Sequence, residues 1–448
     1  MFNLNFSRRD FLRSSVGLAG LTLPTFLQMR AEAANTRRTP AKSCIIIYLW
    51  GGIAHQESWD PKPDALAAQR GEFGVIKTAT TGIQFSEHIP LMAKHTEKFA
   101  IVRSMHHDIG GHGGALYRSM TGHKAPDGPA KDRKNWPSLT VMISKFRGAN
   151  NGTPRAICMP YLNYDNGALI QGQFGGWLGE GYDPIMLKTP AGEPYGGVSR
   201  YSNEEMDLRL TVPRERFVTR RSLLQGFDEA QGDTKDYESY GRFRRMAADM
   251  LVGSGVNKAY DLEQEDPRIR TMYGDHIGGQ SMLLARRLVE AGVPVVQVNA
   301  GAGDLAGGGG DNWDTHRDHF SKMKTRLLPV FDRAFSALLT DLEQRGLLDE
   351  TLVAVITDFG RTPIINGNAG RDHHPGVYSQ VLAGGGIRGG QVYGSSDRNG
   401  TRPATRACSP SDFHATVYTA LGIDPHTTIK DHMGRPFEIC HGSALPLL

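Results

Sequence analysis

The chain has 448 residues, 39% of them hydrophobic, enough to bury the core of one large α/β domain or of two ordinary ones, so disorder is not the default. Its 51 basic and 47 acidic residues leave a formal net charge of +4, and no basic stripe with interleaved aromatics stands out, which argues against nucleic acid as a partner. The 54 glycines follow no fibrous repeat and point to many tight loops.

The first residues read as an address. Ser7-Arg8-Arg9-Asp10-Phe11-Leu12 is a twin-arginine signature, followed by a mildly apolar run from Ser15 to Met29 and a small-residue site at Ala31-Glu32-Ala33. That run is too short, and too rich in Gly, Ser and Thr, to span a membrane. The expectation is a signal peptide over residues 1–34 and a partnership with the twin-arginine export machinery. The mature protein is then periplasmic or otherwise outside the cytoplasm, with no stable membrane span. Residues 35–448 are expected to form a single domain with an insertion at about 150–275. The four cysteines, Cys44, Cys158, Cys408 and Cys440, form no CxxC pair, so a thiolate zinc site is not expected, while Cys408 and Cys440 could pair in an oxidising compartment.

Cys44 to Leu49 is a buried-strand run that ends in Trp50-Gly51-Gly52 and delivers His55, Glu57 and Asp60. His55 is assigned to a site, and Glu57 to turn chemistry. Phe99 to Ser104 is another strand, feeding a loop with His106, His107 and His112 among glycines, and then a helix from Ala115 to Thr121 closed by Gly122. The pattern loosens from Asn150 to about Asp275, with a short strand from Leu208 to Val212 and helical periodicity at Arg220–Ala230 and Tyr237–Leu251. A helix from Met282 to Ala291 precedes the strand Pro294 to Asn299 and a glycine-rich loop, Gly301 to Gly310. Asp314 and His316 follow, a carboxylate–imidazole pair whose alternative reading is a cap for the long helix from His319 to Arg345, a task Asp311 could also perform.

The most informative stretch runs from Thr351 to Ser379. A β-branched strand, Leu352 to Thr357, ends abruptly at Asp358, and a polar loop then brings Arg361, Asp372, His373 and His374. A carboxylate just beyond the carboxyl end of a buried strand stands where open α/β sheets bind ligands, and imidazoles returning in the same loop suit a divalent metal. Later, Val381 to Ala383 and Gln391 to Tyr393 read as edge strands, and Asp412 to Leu421 as a helix. Alternating strands and helices predict βαβ units with a mostly parallel sheet. Three different strands deliver loops rich in Asp and His, and such loops can converge at one edge of that sheet.

With these residues in view, the chain resembles the alkaline phosphatase/sulfatase-like superfamily. Gly114 to Gly122 is similar to the sulfatase helix after the nucleophile, VAVITDFG to the strand and turn that carry a metal pair, and Asp412 to Ile423 to the C-terminal helix. The whole mature chain looks like an exported family of unknown function, domain-of-unknown-function family 1501. It does so through Trp50-Gly51-Gly52, ARRLVEAGV at Ala285–Val293, Trp313 to His316, Asp358 to Arg361, and Asp431 with Gly434-Arg435-Pro436. The resemblance implies a three-layer αβα fold around a mostly parallel sheet. It implies a metal-dependent hydrolase of phosphate or sulfate esters, with Asp314, His316, Asp358 and His374 as a single-metal set and His55 a further candidate ligand. Zinc, manganese or iron would suit those donors, and Arg361 would clamp a small or polymeric anionic ester. His112 stands at the nucleophile position as base or nucleophile, or alternatively as a metal ligand. Gly51 and Phe359 occupy positions where the superfamily carries ligands. The rival expectation is a catalytically degenerate binding protein on the same fold, holding an anionic glycan or a partner protein.

Overall fold

The computed structural model describes residues 40–148, 153–187, 254–300 and 312–448, with short helical pieces at 215–216, 219–220 and 222–223. The proposed leader, the strand at 208–212, most of the two helices expected between 220 and 251, and the loop 301–311 lie outside the described residues.

An eight-stranded sheet runs through the centre. Its strands are β1 (Ser43–Leu49), β2 (Phe99–Met105), β3 (Ile157–Met159), β4 (Ile185–Met186), β5 (Val295–Asn299), β6 (Thr351–Thr357), β7 (Tyr378–Ala383) and β8 (Gln391–Tyr393). The spatial order is β8-β2-β7-β6-β1-β5-β3-β4. All are parallel except β7, which runs against both β6 and β2. β7 therefore lies inside the sheet and not at its edge, with all six residues buried; only β8 keeps the edge position its sequence suggested. The continuous apolar runs of β1 and β6 follow from this placement, because a strand covered on both faces needs no alternation.

Among the described residues the five longest helices are α1 (His112–Thr121), α2 (Leu139–Arg147), α3 (Ile277–Glu290), α4 (Leu328–Gln344) and α5 (Pro410–Ala420). α3 and α4 pack on one face of the sheet, where Ile45, Ile47, Val296, Val298, Val353 and Val355 meet Leu284, Leu288, Phe335 and Leu338 in one core. α1, α2 and α5 cover the other face, which gives the expected three layers. The long helix expected from 319 is broken into His319–Lys322, a π-helical turn at Met323–Leu327, and α4. All four cysteines are buried free thiols, so Cys408 and Cys440 do not pair. Among the described residues no helix is long and apolar enough to cross a membrane.

Candidate metal centre

β1, β5 and β6 lie side by side and parallel, so their carboxyl ends open onto the same rim. β6 delivers Asp358, fully buried one residue past its end. β1 delivers the turn Trp50-Gly51-Gly52, in which both glycines have positive φ, +107° and +89°. A Cβ on Gly51 would lie 2.4 Å from the Asp314 backbone nitrogen, and one on Gly52 would lie 2.8 Å from the Phe359 ring. An aspartate could not stand here, because the space belongs to the backbone that carries Asp314.

Asp314 is the hub. Its Oδ1 lies 3.3 Å from His112 Nε2, 3.0 Å from His316 Nε2 and 3.2 Å from His373 Nε2. Each of these imidazoles is held at its other nitrogen. His112 Nδ1 is 2.6 Å from Asp358 Oδ2, His316 Nδ1 is 2.7 Å from Asp372 Oδ1, and His373 Nδ1 is 2.7 Å from the Gly110 carbonyl. Three acceptors thus hold three Nδ1 atoms and turn three Nε2 atoms toward one carboxylate, the orientation that supports metal ligation. Among the described residues, His112, Asp314 and His373 offer ligand atoms that all lie within 4.8 Å of one another. His316 Nε2 stands beside this group, 2.9 Å from His373 Nε2 and 3.0 Å from Asp314 Oδ1. The buried Nε2 of His112 has no partner in hydrogen-bonding geometry, which marks it as a donor kept for something else. The residues fit a divalent ion bound by neutral imidazoles and one carboxylate.

Aromatic rings close the inner side. Trp50 stacks on His112 at 4.7 Å, and Phe359 lies 4.9 Å from His112 and 4.5 Å from His373. The opposite side is open, since the side chains of His316 and Asp372 are 42% and 52% exposed while that of Asp358 is wholly covered. Burial pushes the Asp314 carboxyl up, but the His112 and His373 imidazoles beside it and the charge of Arg361 outweigh it and hold the group well below the usual carboxylate range. Burial likewise lowers the His112 imidazole, yet the two carboxylates beside it raise it to about 9.

The structure brings together Asp314, His316, Asp358 and His112, and leaves His374 and His55 outside. Gly360–Arg361 and His373–His374 form a two-residue antiparallel ladder, in which neighbouring side chains face opposite ways. His373 consequently faces Asp314, while His374 Nε2 turns to the Thr401 carbonyl at 2.8 Å. His55 is fully buried against Gly360 and Gly400, and desolvation pushes its imidazole down to about 3. Asp358 takes part through His112 and not by facing the cluster itself. Arg361 is also placed differently from the expectation of an anion clamp. Its buried guanidinium donates to the carbonyls of Gly51, Gly52 and Arg371 and to Asp314, so it fixes the turn and the hub together. Asp314 is no helix cap either, because Asp318 holds the N-terminal position of the following helix without a side-chain bond. The residues not assigned from the sequence are His373 as a ligand, Gly110 as its support and Asp372 as the support of His316.

Residues 41–447 match the family described as protein of unknown function (DUF1501). The chain belongs to that family. No curated protein matches it. Among solved structures it is similar to the protein Ps i-CgsB, at 10% identity and a TM-score of 0.41, covering 86% of this chain and 73% of that one. The phosphonate monoester hydrolase SpPMH from Silicibacter pomeroyi matches at 11% identity and a TM-score of 0.38, covering 90% of this chain and 76% of that one. A protein in the alkaline phosphatase superfamily from Vibrio parahaemolyticus matches at 12% identity and 0.38, covering 87% and 68% respectively. What the site does is decided by its own residues.

Proposed function

We propose that this family member is an exported, metal-dependent hydrolase of phosphate or sulfate esters, with one divalent ion held by His112, Asp314, His316 and His373. The observation that carries the reading is the convergence of three Nε2 atoms on Asp314 Oδ1 while a separate acceptor holds each Nδ1. An ion bound there supplies Lewis acidity to an ester oxygen or a more acidic water. The chain's own residues do the rest. Asp358, Asp372 and the Gly110 carbonyl orient the imidazoles and fix their tautomers, Trp50 and Phe359 keep water from the inner side, and the open face beside His316 admits the ester. With both ring nitrogens of His112 facing carboxylates, its part is that of a ligand and not of a base or nucleophile. The hydrolytic reading therefore uses water as the nucleophile. Export through the twin-arginine route belongs to the same proposal, carried by Ser7 to Leu12, and N-terminal sequencing of the mature protein tests it.

One observation favours the binding-protein alternative. Arg361, the guanidinium that contacts Asp314, is already committed to backbone carbonyls. Metal analysis of purified protein, paired with turnover of aryl phosphate and aryl sulfate, separates the two readings. The hydrolase reading expects about one ion per chain, with turnover that Asp358→Asn reduces by lowering metal affinity about 10–100-fold. Protein with neither metal nor turnover would leave the binding role in its place.

A further inference from the structure

Behind the hub lies a second, wholly buried set of polar groups. Thr315 Oγ1 is 2.6 Å from His319 Nδ1, and His319 Nε2 is 3.0 Å from Glu57 Oε2. Glu57 Oε1 accepts from Arg371 Nη2 at 2.6 Å, and the Arg371 backbone N–H donates to the Thr315 carbonyl at 3.1 Å. The four contacts close a ring, and none of the four residues is more than 1% exposed. The remaining guanidinium contacts of Arg371 go to the carbonyls of Gln69, Thr362 and Pro363. Burial pushes the Glu57 carboxyl up, but Arg371 and His319 outweigh this and hold it at about 2, while burial keeps the His319 imidazole low. Protons are assigned accordingly: neutral His319 donates from Nε2 to charged Glu57 and accepts the Thr315 hydroxyl proton at Nδ1.

Hydroxyl, imidazole and carboxylate stand here in the order of a nucleophilic triad. Burial decides against that role, because no ester can reach a threonine with no exposed surface. The neighbours of the ring point to another. Asp314 and His316 flank Thr315, and Asp372 and His373 follow Arg371. A Cβ on Gly370 would lie 1.9 Å from the His316 carbonyl, so the two ligand-bearing segments touch at backbone level. We propose that Thr315, His319, Glu57 and Arg371 form a positioning ring that clamps these two segments in register, so that Asp314 and His316 meet His373 with ligating geometry. The proposal rests on the metal-centre reading. Every side-chain polar atom of the ring except Arg371 Nε is hydrogen-bonded; such a buried network is rigid, and a rigid support holds ligands within the tolerance that metal binding needs.

The test uses the full chain and Co²⁺ alone, read by calorimetric affinity and by the visible absorption of the bound ion, beside the thermal unfolding of the metal-free protein. Thr315→Val removes the hydroxyl and keeps the shape. It should weaken Co²⁺ binding about 10–100-fold and change the absorption band, with Thr315→Ser restoring both. Thr351→Val is the control, since it breaks a buried hydroxyl contact with Ser43 far along the same fold and should leave affinity and spectrum unchanged. If Thr315→Val does not fold, Glu57→Gln breaks the ring at another point and should give the same loss. Wild-type affinity and spectrum in the ring variants would overturn the ring alone. A wild-type chain that takes up no Co²⁺ would overturn the centre itself, and the two failures are thus distinct.

Discussion

Single residues decide the chemistry here, and neighbours in sequence have unequal parts. His373 and His374 are adjacent, yet the ladder turns one toward Asp314 and the other toward Thr401. Substituting each with alanine should separate them in a metal titration: His373→Ala loses most of the bound ion, and His374→Ala keeps it. Gly51 is as exacting, for its φ of +107° and the 2.4 Å approach of a hypothetical Cβ to Asp314 leave no room for a side chain. Gly51→Ala should lose about 1–3 kcal/mol in chemical denaturation, the order of cost for a non-glycine residue held in strained backbone, and should weaken metal binding with it.

Elements hold these residues in place through caps of two kinds. α5 is capped locally, with Ser409 accepting from the Asp412 N–H while the Asp412 carboxylate accepts from the Ser409 N–H. That reciprocal pair is readable from the sequence, and Ser409→Ala should cost about 1 kcal/mol in thermal or urea unfolding. The short helix Pro90–Lys94 has no such signal at its own start. Its cap is Asp332 on α4, whose carboxylate accepts from the N–H groups of Leu91 at 2.9 Å and Met92 at 2.6 Å. Burial lifts the Asp332 carboxyl to about 6, although those backbone bonds work the other way. Asp332→Ala should therefore destabilise the fold by about 1–2 kcal/mol, by leaving the buried Met92 N–H and the half-buried Leu91 N–H unpaired. No local pattern announces a cap supplied from 240 residues away.

At the scale of the whole molecule, the buried ring ties the first strand's turn to the last third of the chain. Its carboxylate gives stability a pH dependence of definite sign. The folded Glu57 group sits at about 2 against an ordinary 4.5, so its contribution is present above pH 4.5 and is lost as pH falls through 2. The size is roughly 3 kcal/mol, from a linkage of 1.36 kcal/mol per pH unit. In urea titrations between pH 7 and pH 2, Glu57→Gln should start less stable than wild type and lose less as the pH falls. A wild-type acid limb no steeper than that of the variant would place Glu57 outside the ionised network.

Much of the architecture was written in the chain. The runs Cys44–Leu49 and Leu352–Thr357 are apolar throughout because both faces of a central parallel strand are covered, and that is a local property of sequence. The same local logic placed Asp358 at a strand end and Asp314 with His316 after another, since strand termini are marked by abrupt changes in polarity. Three matters waited on tertiary structure. Which of two adjacent histidines faces the hub depends on the pleat of a ladder whose register is set by distant packing. Whether Arg361 was free to meet a ligand depended on carbonyls contributed by Gly51 and Gly52, some 300 residues earlier. The pairing of Glu57, a turn residue by its sequence, with His319 and Arg371 required the sheet to bring the three segments together, because charge partners far apart along a chain leave no periodic trace in it.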